Sequence, residues 1–253
     1  MTTLVLYEVR DRVARITLDS PHNRNALSAP LVAQLRDRLD DAAADGVVRA
    51  VVLTHTGRVF CAGADLSEAG TGSLAEGTKA IMALMNGIVE LPKPVVARVA
   101  GHVRAGGMGI LGACDVAIAT EQASFAFTEA RIGVAPAMIS LTTLDLMAPR
   151  AVARCYLTGE TFDAPTAAAY GLITESVQTP RLDGAVEAVL AGIKETSPQG
   201  SAETKRLLTA ARRERFAARS ADLAALSARL FASEEAQEGI HAFLERRSPA
   251  WRA

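Results

Sequence analysis

The sequence has little of what marks several classes of protein. Aromatic residues make up only 4% of its 253 residues, and it holds just three cysteines and four histidines. The formal net charge of -1 gives no electrostatic reason to expect nucleic acid or an anionic membrane surface as a partner. No uninterrupted apolar run reaches the roughly 20 residues that cross a bilayer, so we expect no membrane-spanning segment.

The cysteines and histidines form no recognisable ligand set. Cys61, Cys114 and Cys155 are widely spaced in apolar surroundings, so we expect reduced core thiols rather than disulfides or a metal site. The histidines also lack the spacing of metal ligands. We therefore expect no structural metal. Met1 to Leu4 lacks the basic and apolar regions of a signal peptide, which favours a cytoplasmic protein.

What the chain does have is a large apolar fraction, 49%, enough to bury a sizeable core in one or two domains. Partial alternation in Leu4 to Arg10 and Arg12 to Leu18 predicts a hairpin. Apolar runs at 50–53, 95–99 and 116–119 predict strands that alternate with helices. This order favours an α/β fold with a mostly parallel core, followed from about residue 182 by a helical appendage.

Two helices are marked by their spacing and caps. Ser28 is placed to cap the first, and Pro30 stands in its first turn. Apolar residues at helical spacing between 81 and 91 predict the second, which Pro92 ends. Between them, Glu68 to Gly77 is small, polar and glycine-rich, and we expect a mobile loop over the site.

Two glycine-rich segments follow predicted strands and are the main candidates for a site. In the first, Val59 to Leu66, Gly63 stands between two alanines, and a turn predicted at 54–57 leads into it. Asp65 and Ser67 are candidate caps for a helical turn just beyond. Alone, this segment is equally well a tight strand-to-helix connection. With the second segment, Gly101 to Asp115, each can supply one N–H to a single oxygen, which is the geometry of an oxyanion hole.

Five segments together resemble the enoyl-CoA hydratase/isomerase (crotonase) family. They are Asn25 to Leu27, Phe60 to Leu66, Gly101 to Asp115, Gly159 to Leu172 and Glu238 to Arg247. The resemblance covers nearly the whole chain. It implies a crotonase-like spiral of repeated ββα or βαβ turns at 1–181, which holds the acyl-CoA site. It also implies a helical C-terminal region at 182–253 for trimerisation and CoA cover.

The resemblance further implies an acyl-CoA thioester as substrate, with coenzyme A present only as part of it and no other cofactor or metal. The assembly it implies is a homotrimer or a hexamer built as a dimer of trimers. Apolar positions in the C-terminal region agree with an interface between chains. They are Leu223, Leu226, Leu230 and Phe231.

Carried over to this sequence, the family's oxyanion-hole donors are the backbone N–H groups of Ala64 and Gly106. They stabilise the enolate that forms when a thioester reacts at Cα. The family's hydratases add two glutamates. Here Gly109 takes the place of the first, and the second is Glu129.

Glu129 is therefore the predicted acid/base, on a partly apolar wall that raises its pKa. The alternative is a surface or capping glutamate on a turn. If Glu129 is not the catalyst, Asp145 and Glu68 are the next carboxylates to consider.

The resemblance also implies a set of residues that bind the CoA part of the substrate. They are Arg24, Ala26, Ala62, Gly63, Asp65, Leu66, Gly107, Phe243 and Arg246. Phe243 is alternatively a core aromatic and Arg246 a solvated surface charge. Arg104 and Arg131 either meet a carboxylate on the acyl group or form structural ion pairs.

Several functions stay open at this point. The first is hydration of a 2-enoyl-CoA, and the second is double-bond isomerisation, for which a single glutamate suffices. The segment Pro136 to Ser140, with Gly109, is similar to bacterial hydratases of branched glutaconyl-CoA esters. A non-catalytic acyl-CoA-binding protein is a further alternative. The natural acyl chain cannot be read from the sequence.

Overall fold

The computed structural model of the protein describes residues 2–67 and 74–252. Its strands are β1 (Val5–Arg10), β2 (Val13–Leu18), β3 (Ala50–His55), β4 (Val59–Cys61), β5 (Val95–Val99), β6 (His102–Arg104), β7 (Val116–Thr120), β8 (Ser124–Ala126), β9 (Phe162–Asp163) and β10 (Glu175–Val177). Its α-helices are α1 (Ala29–Ala44), α2 (Leu74–Glu90), α3 (Gly106–Ala113), α4 (Ser140–Thr143), α5 (Pro149–Thr158), α6 (Ala164–Ala169), α7 (Leu182–Glu195), α8 (Pro198–Leu208), α9 (Ala210–Phe231) and α10 (Glu234–Leu244). Short 3-10 helices cover Pro21–Asn23, Glu129–Ile132, Thr179–Arg181 and Ala250–Arg252.

The strands form two sheets that the chain visits in turn. The larger sheet has the order β1-β2-β3-β5-β7-β10, and the smaller has the order β4-β6-β8-β9. Apart from the β1–β2 hairpin and the β8–β9 pair, neighbouring strands are parallel. Each of β3–β4, β5–β6 and β7–β8 places one strand in the large sheet and the next in the small one. The prediction of an α/β fold with a mostly parallel core is thus confirmed, and its turns form a spiral.

The two faces of the large sheet pack against different layers because side chains alternate along each strand. Val51 and Leu53 of β3 point into the main core, where α1, α2 and α3 also bury their apolar sides. Val52 and Val96 point the other way, against α7. This second layer buries Leu182, which opens α7. Consequently α7 is a layer of the sheet packing and not an appendage, although the described chain beyond 182 is helical as predicted.

Most predicted helices and strands are confirmed, but some of their boundaries differ from those that the local sequence indicates. The hairpin turns at Asp11 and Arg12, both at positive φ. Ser28 occupies the N-cap position of α1, but its side chain makes no capping hydrogen bond. The predicted mobile loop is wrong at 74–77, which belong to α2, and its remaining part, 68–73, lies outside the described residues. The strands β4, β6 and β9 were not predicted, because two or three residues carry no periodic signal.

The turn predicted at 54–57 begins later than expected. Thr54 and His55 continue β3 and pair with Thr17 and Leu18 of β2. The His55 Nε2 accepts a hydrogen bond from the Ala100 backbone N–H at 3.1 Å, which ties β3 to the next turn of the spiral. The tertiary bond therefore overrides the local turn signal.

No helix within residues 2–67 and 74–252 is both long and apolar enough to cross a membrane. The three cysteines are buried, and none of them forms a disulfide. Among the described residues, no group of three or more histidine, cysteine, aspartate or glutamate side chains is arranged to hold a metal ion.

A buried lysine joins the C-terminal helices to the spiral. Lys205 of α8 is 4% exposed, and its Nζ lies 2.8 Å from Oδ2 of Asp115. The same ammonium group donates to the backbone carbonyls of Ile88, at 2.9 Å, and Lys93, at 3.1 Å. Asp115 in turn accepts a hydrogen bond from the Val95 N–H at the start of β5. One cation thus links the ends of α2, β5 and α3 to α8.

We expect Lys205→Met to lower the free energy of unfolding by about 3–5 kcal/mol, since it leaves the Asp115 carboxylate partly buried without its cation. Lys79→Met is the matched control, because Lys79 pairs with Glu76 on the exposed side of α2 and its loss should cost less than about 1 kcal/mol. Urea denaturation of both variants measures the difference. Equal losses would contradict the structural role of Lys205.

Candidate active site

The two glycine-rich segments meet side by side, as the oxyanion-hole prediction requires. Gly63 has a φ of 93°, a conformation that a side chain would strain. A methyl group on Gly63 would also lie 3.0 Å from the amide nitrogen of Gly106, and one on Gly106 would lie 3.4 Å from that of Ala64. The contact between the segments therefore depends on the absence of side chains.

Both predicted donor amides are free to bind an incoming oxygen. Gly106 is the first residue of α3, where a helix leaves its N–H groups without intrahelical acceptors. Within residues 2–67 and 74–252, neither the Ala64 N–H nor the Gly106 N–H has a backbone acceptor. Ala105, which precedes the helix, is held at φ 45° and ψ -121°. Such strain in a non-glycine residue persists only where the surroundings fix it, and it occurs often at functional sites.

The first segment is positioned by the loop that precedes α1. The Leu27 N–H donates to the Gly63 carbonyl at 2.8 Å, and the Ala62 N–H donates to the Arg24 carbonyl at 3.2 Å. Asn25 is fully buried, and its Nδ2 donates to the carbonyls of Thr56 and Val59. The Asn25 side chain thereby holds this loop against the backbone at both ends of the turn between β3 and β4.

Among the predicted CoA-binding residues, those at the first segment are brought together. Arg24 is exposed, Ala26 is buried beneath the loop, and Ala62, Asp65 and Leu66 are half-buried. The Asp65 carboxylate accepts hydrogen bonds from the N–H and hydroxyl of Ser67, so it does cap the turn there. Any helix beyond that turn lies outside the described residues. That these residues contact CoA stays a prediction.

The other predicted CoA contacts lie elsewhere. A methyl group on Gly107 would be 2.7 Å from Cβ of Cys61, so Gly107 lets α3 pack on β4. Phe243 is 52% exposed, which rules out the alternative of a core aromatic. Arg246 is exposed at the end of α10, where it takes a positive φ. That helix packs mainly on the Glu129–Ile132 turn and on α9.

Glu129 lies on a short turn that directly follows β8. The Ala105 N–H donates to the Ala126 carbonyl at 3.1 Å, so the start of α3 is fixed beside the strand that leads to Glu129. The Oε2 of Glu129 is buried without a hydrogen-bond partner among the described residues. The aromatic side chains of Phe125 and Phe127 are fully buried in the same strand and turn, which confirms the apolar wall.

Burial raises the pKa of Glu129 to about 7, and a hydrogen bond from its own backbone N–H opposes that rise. The cause is desolvation, because an apolar environment disfavours the ionised carboxylate. A carboxyl group that titrates near neutrality can both accept and return a proton. The alternative of a solvated surface glutamate therefore does not fit this carboxyl, whose Oε2 is buried, although the residue stands in the first turn of a 3-10 helix.

At Gly109, where the family has its first glutamate, neighbouring side chains occupy the space that a glutamate side chain would need. A methyl group on Gly109 would lie 2.6 Å from both Cγ2 of Ile139 and Sδ of Met85. The Thr142 hydroxyl also donates to the Gly109 carbonyl at 2.9 Å. A longer side chain at this position would require the side chains of Ile139 and Met85 to shift. Sequence reasoning identified Gly109 but not the side chains that occupy its space.

The two arginines and the reserve carboxylates are engaged elsewhere. Arg104 donates to the backbone carbonyls of Val103 and Ser124, and Arg131 donates to that of Thr158. In the described part of the chain neither forms an ion pair, so the predicted structural ion pairs are wrong. Asp145 is paired with Arg212 and Arg215, which removes it as an acid/base candidate. Glu68 lies outside the described residues.

The raised pKa of Glu129 makes the stability of the protein depend on pH. Below about pH 4 the carboxyl is protonated in both states, whereas between about 4.5 and 7 only the unfolded state loses the proton. The burial of Glu129 thus costs about 3 kcal/mol of stability once the pH exceeds about 7.

We expect Glu129→Gln to remove this cost. Its stability relative to the parent should increase by about 3 kcal/mol between about pH 4 and pH 8 in urea denaturation. Comparing the two proteins at each pH cancels the titration of the other groups. A difference that stays constant with pH would show that Glu129 titrates normally.

The comparisons with known proteins agree with this geometry. A family model described as enoyl-CoA hydratase/isomerase matches residues 8–253. A crystal structure of an enoyl-CoA hydratase from Mycobacterium avium is 53% identical, with a TM-score of 0.92 over 99% of this chain and all of that one. Enoyl-CoA hydratase domain-containing protein 3, mitochondrial, from Danio rerio is 33% identical over 99% of this chain and 88% of its own length.

A more specialised relative is also similar. Mevalonyl-coenzyme A hydratase from Aspergillus fumigatus is 30% identical over 94% of this chain and 90% of its own length. The family match extends over nearly all of the sequence, and the structural match includes the whole spiral. The chain therefore belongs to the enoyl-CoA hydratase/isomerase family and has the crotonase fold.

Proposed function

We propose that the protein is an enoyl-CoA hydratase that acts on an acyl-CoA thioester through an enolate. The observation that supports this most is the pair of free amides, Ala64 and Gly106, next to the strand that leads to the buried carboxyl of Glu129. The thioester oxygen would accept from both amides, and Glu129 would carry the proton. Removing one such donor in other enzymes costs roughly 3–4 kcal/mol of transition-state stabilisation.

A single carboxyl group can complete the hydration. The ionised Glu129 takes a proton from water while the water oxygen bonds to Cβ of the enoyl group, and the electron pair moves to the thioester oxygen. The protonated Glu129 then returns that proton to Cα as the enolate collapses. The net reaction adds one water, and Glu129 ends in its starting state. Its pKa of about 7 suits both steps at neutral pH.

Isomerisation of a 3-enoyl-CoA is the second candidate, and one observation favours it. Residue 109 is glycine and the side chains of Ile139 and Met85 fill the space beside it, so this chain has no second carboxylate there to activate water. A shuttle that removes a proton from one carbon and returns it to another needs only Glu129. Two assays that follow the absorbance of the 2-enoyl thioester separate the two reactions. Hydration of crotonyl-CoA lowers this absorbance, whereas isomerisation of a 3-enoyl-CoA raises it. No change with any acyl-CoA would favour a binding protein.

The acyl chain and the CoA contacts belong to the same proposal. Arg24 at the loop before α1 is exposed and suits the CoA phosphates, and Phe243 and Arg246 suit the nucleotide. Since Arg104 is bonded to backbone carbonyls, it offers little support for an acyl carboxylate of the branched glutaconyl type. A panel of acyl-CoA thioesters, tested for turnover, identifies the preferred chain.

The assembly is proposed to be a homotrimer or a hexamer. An apolar groove of about 750 Å³ runs between α2 and α9 and is lined by Met82, Phe216 and Ala221, among others. Leu223, Leu226, Leu230 and Phe231 of α9 are only half-buried. Association would cover this apolar surface. Light scattering reports the state, and a monomer at micromolar concentration would contradict it. A cytoplasmic location stays a prediction.

We expect Glu129→Gln to retain acyl-CoA binding while turnover falls by at least about 100-fold, because the amide keeps the shape and loses the proton transfer. Asp145→Asn is a control for a carboxyl outside the site, and it should keep most of the turnover. Steady-state kinetics and a binding titration with the same thioester measure both quantities. Parent-like turnover in Glu129→Gln would show that another group is the catalyst.

A further inference from the structure

The turn that carries Glu129 is short and is closed mainly through the carbonyl of Glu129 itself. It is a 3-10 helix of four residues, Glu129–Ile132, and it ends at Gly133 with a φ of 78°. The N–H groups of Gly133 and Val134 both donate to the Glu129 carbonyl, the latter at 3.1 Å. Because so short a helix is marginal alone, its position depends on what packs against it.

Helix α10 packs against this turn, backbone against backbone. A methyl group on Gly239 of α10 would lie 2.5 Å from both the carbonyl carbon and the carbonyl oxygen of Ile132. A methyl group on Gly133 would lie 2.6 Å from the carbonyl oxygen of Glu235 and 2.8 Å from the amide nitrogen of Ala236. The turn and the helix therefore each have a glycine where the other comes closest. Backbone atoms in a close-packed interior give way to a methyl group only if the whole element moves.

The end of α5 also holds the turn, but through a side chain. The Nε of Arg131 donates to the Thr158 carbonyl at 3.0 Å, and a methyl group on Gly159 would lie 2.9 Å from Cγ of Arg131. Arg131 is exposed, and its long side chain has several rotatable bonds. This contact therefore restrains the backbone of the turn less than the contact with α10 does.

We propose that α10 positions Glu129, and that Gly239 and Gly133 are the positioning residues through which it acts. Contact with α10 holds the backbone of the turn in place, and Gly133 transmits that position to Glu129 through the hydrogen bond to its carbonyl. The C-terminal helix thereby contributes to proton transfer, separately from the CoA contacts proposed for its end. This inference rests on the proposed function, in which Glu129 carries the proton.

The pKa of Glu129 is a direct measure of this positioning. Burial is what raises it to about 7, and in the described part of the chain no charged side chain is a cause of that rise. If the turn moves, water reaches the carboxyl group, and its pKa falls toward the ordinary value of 4.5. A change in the pKa thus reports a change in the burial of this one group.

The other titratable groups on the turn, α5 and α10 are engaged elsewhere or exposed. Arg154 pairs with Glu160 at 2.6 Å, and Glu238 pairs with Arg247 at 2.6 Å. The Tyr156 hydroxyl lies 2.6 Å from that of Thr143, and the Cys155 thiol is buried. The exposed members of this set are Arg131, Arg150, Glu234, Glu235 and His241.

The test is a titration of Glu129 in substrate-free Gly239→Ala. Carbon-13 NMR of labelled glutamate carboxyls reports the pKa, and the signal missing in Glu129→Gln assigns it. Since the added methyl group displaces either α10 or the turn, the pKa should fall by at least about one unit from about 7, a tenfold loss of proton affinity.

Gly171→Ala is the matched control. Its methyl group would clash with the backbone carbonyl of Leu146, and Gly171 has a φ of 86°, so this variant also strains the fold. Gly171 and Leu146 belong neither to the turn nor to α10. The pKa of Glu129 in this variant should stay as in the parent. Chemical denaturation verifies that each variant is folded.

A milder variant tests the same contact if Gly239→Ala does not fold. Ser233 caps α10, and its Oγ accepts from the Ala236 N–H at 3.2 Å, where α10 meets Gly133. Loss of such a cap weakens a helix about fivefold in its folding equilibrium. If α10 must move away before the turn can open, the Val134 amide in Ser233→Ala should exchange with solvent about fivefold faster. The Thr166 amide at the start of α6 should exchange as in the parent.

Three results would overturn the proposal. The first is a pKa of Glu129 that is unchanged or raised in folded Gly239→Ala. The second is an equal fall in Gly239→Ala and Gly171→Ala, which would show a general loosening of the fold. The third is an unchanged exchange rate of the Val134 amide in Ser233→Ala.

These measurements need no substrate, so they succeed or fail separately from the proposed activity. A parent that turns over no enoyl-CoA would defeat the proposed function and leave the titration interpretable. Where the parent is active, kcat of Gly239→Ala should fall at least about tenfold, and the acidic limb of kcat/KM should move to lower pH with the titrated pKa. An acidic limb that does not follow the titrated pKa would contradict the role of α10 in catalysis.

Discussion

The close approach of two backbones, at Gly63 and at the start of α3, is the constraint on which the rest of the site depends. A methyl group on Gly63 would lie only 2.8 Å from Cβ of Ala105. Ala105 itself accepts a strained backbone, at φ 45°, to begin α3 where it does. Two consecutive turns of the spiral meet here, so the amides of Ala64 and Gly106 are held by the fold and need no side-chain chemistry. Preorganised donors of this kind require no rearrangement when charge develops.

The surrounding structure maintains that approach from both sides. Asn25 bonds the backbone before β4, and Leu27 bonds Gly63, so the loop before α1 fixes the first amide. The pairing of β6 with β8 fixes the second, and the same pairing sets where Glu129 begins its turn. The amides of Ala64 and Gly106 and the carboxyl of Glu129 are therefore positioned by one set of parallel strands. The side chains of Ile139 and Met85 then fill the space beside Gly109.

The sequence revealed those parts of the site that leave a local signal. Glycine and alanine where strands end pointed to the two glycine-rich segments, whereas the choice of Ala64, Gly106 and Glu129 within and beyond them came from the resemblance to the crotonase family. The burial of Glu129 also followed from its apolar neighbours in sequence. The contact of α10 with the Glu129–Ile132 turn left no such signal, because it joins a helix to a distant turn through packing that no periodicity encodes. The side chains around Gly109, and the packing of α7 under the sheet, likewise depend on tertiary contacts.

The most direct test of this account measures polarisation of the thioester carbonyl in the site. A carbon-13 label in the carbonyl of an enoyl-CoA, bound to Glu129→Gln, lets infrared difference spectroscopy isolate that one bond without turnover. If the amides of Ala64 and Gly106 both donate to the oxygen, the stretch of the bound carbonyl lies at lower wavenumber than in water. A bound carbonyl that absorbs at the same or higher wavenumber than in water would contradict the central claim.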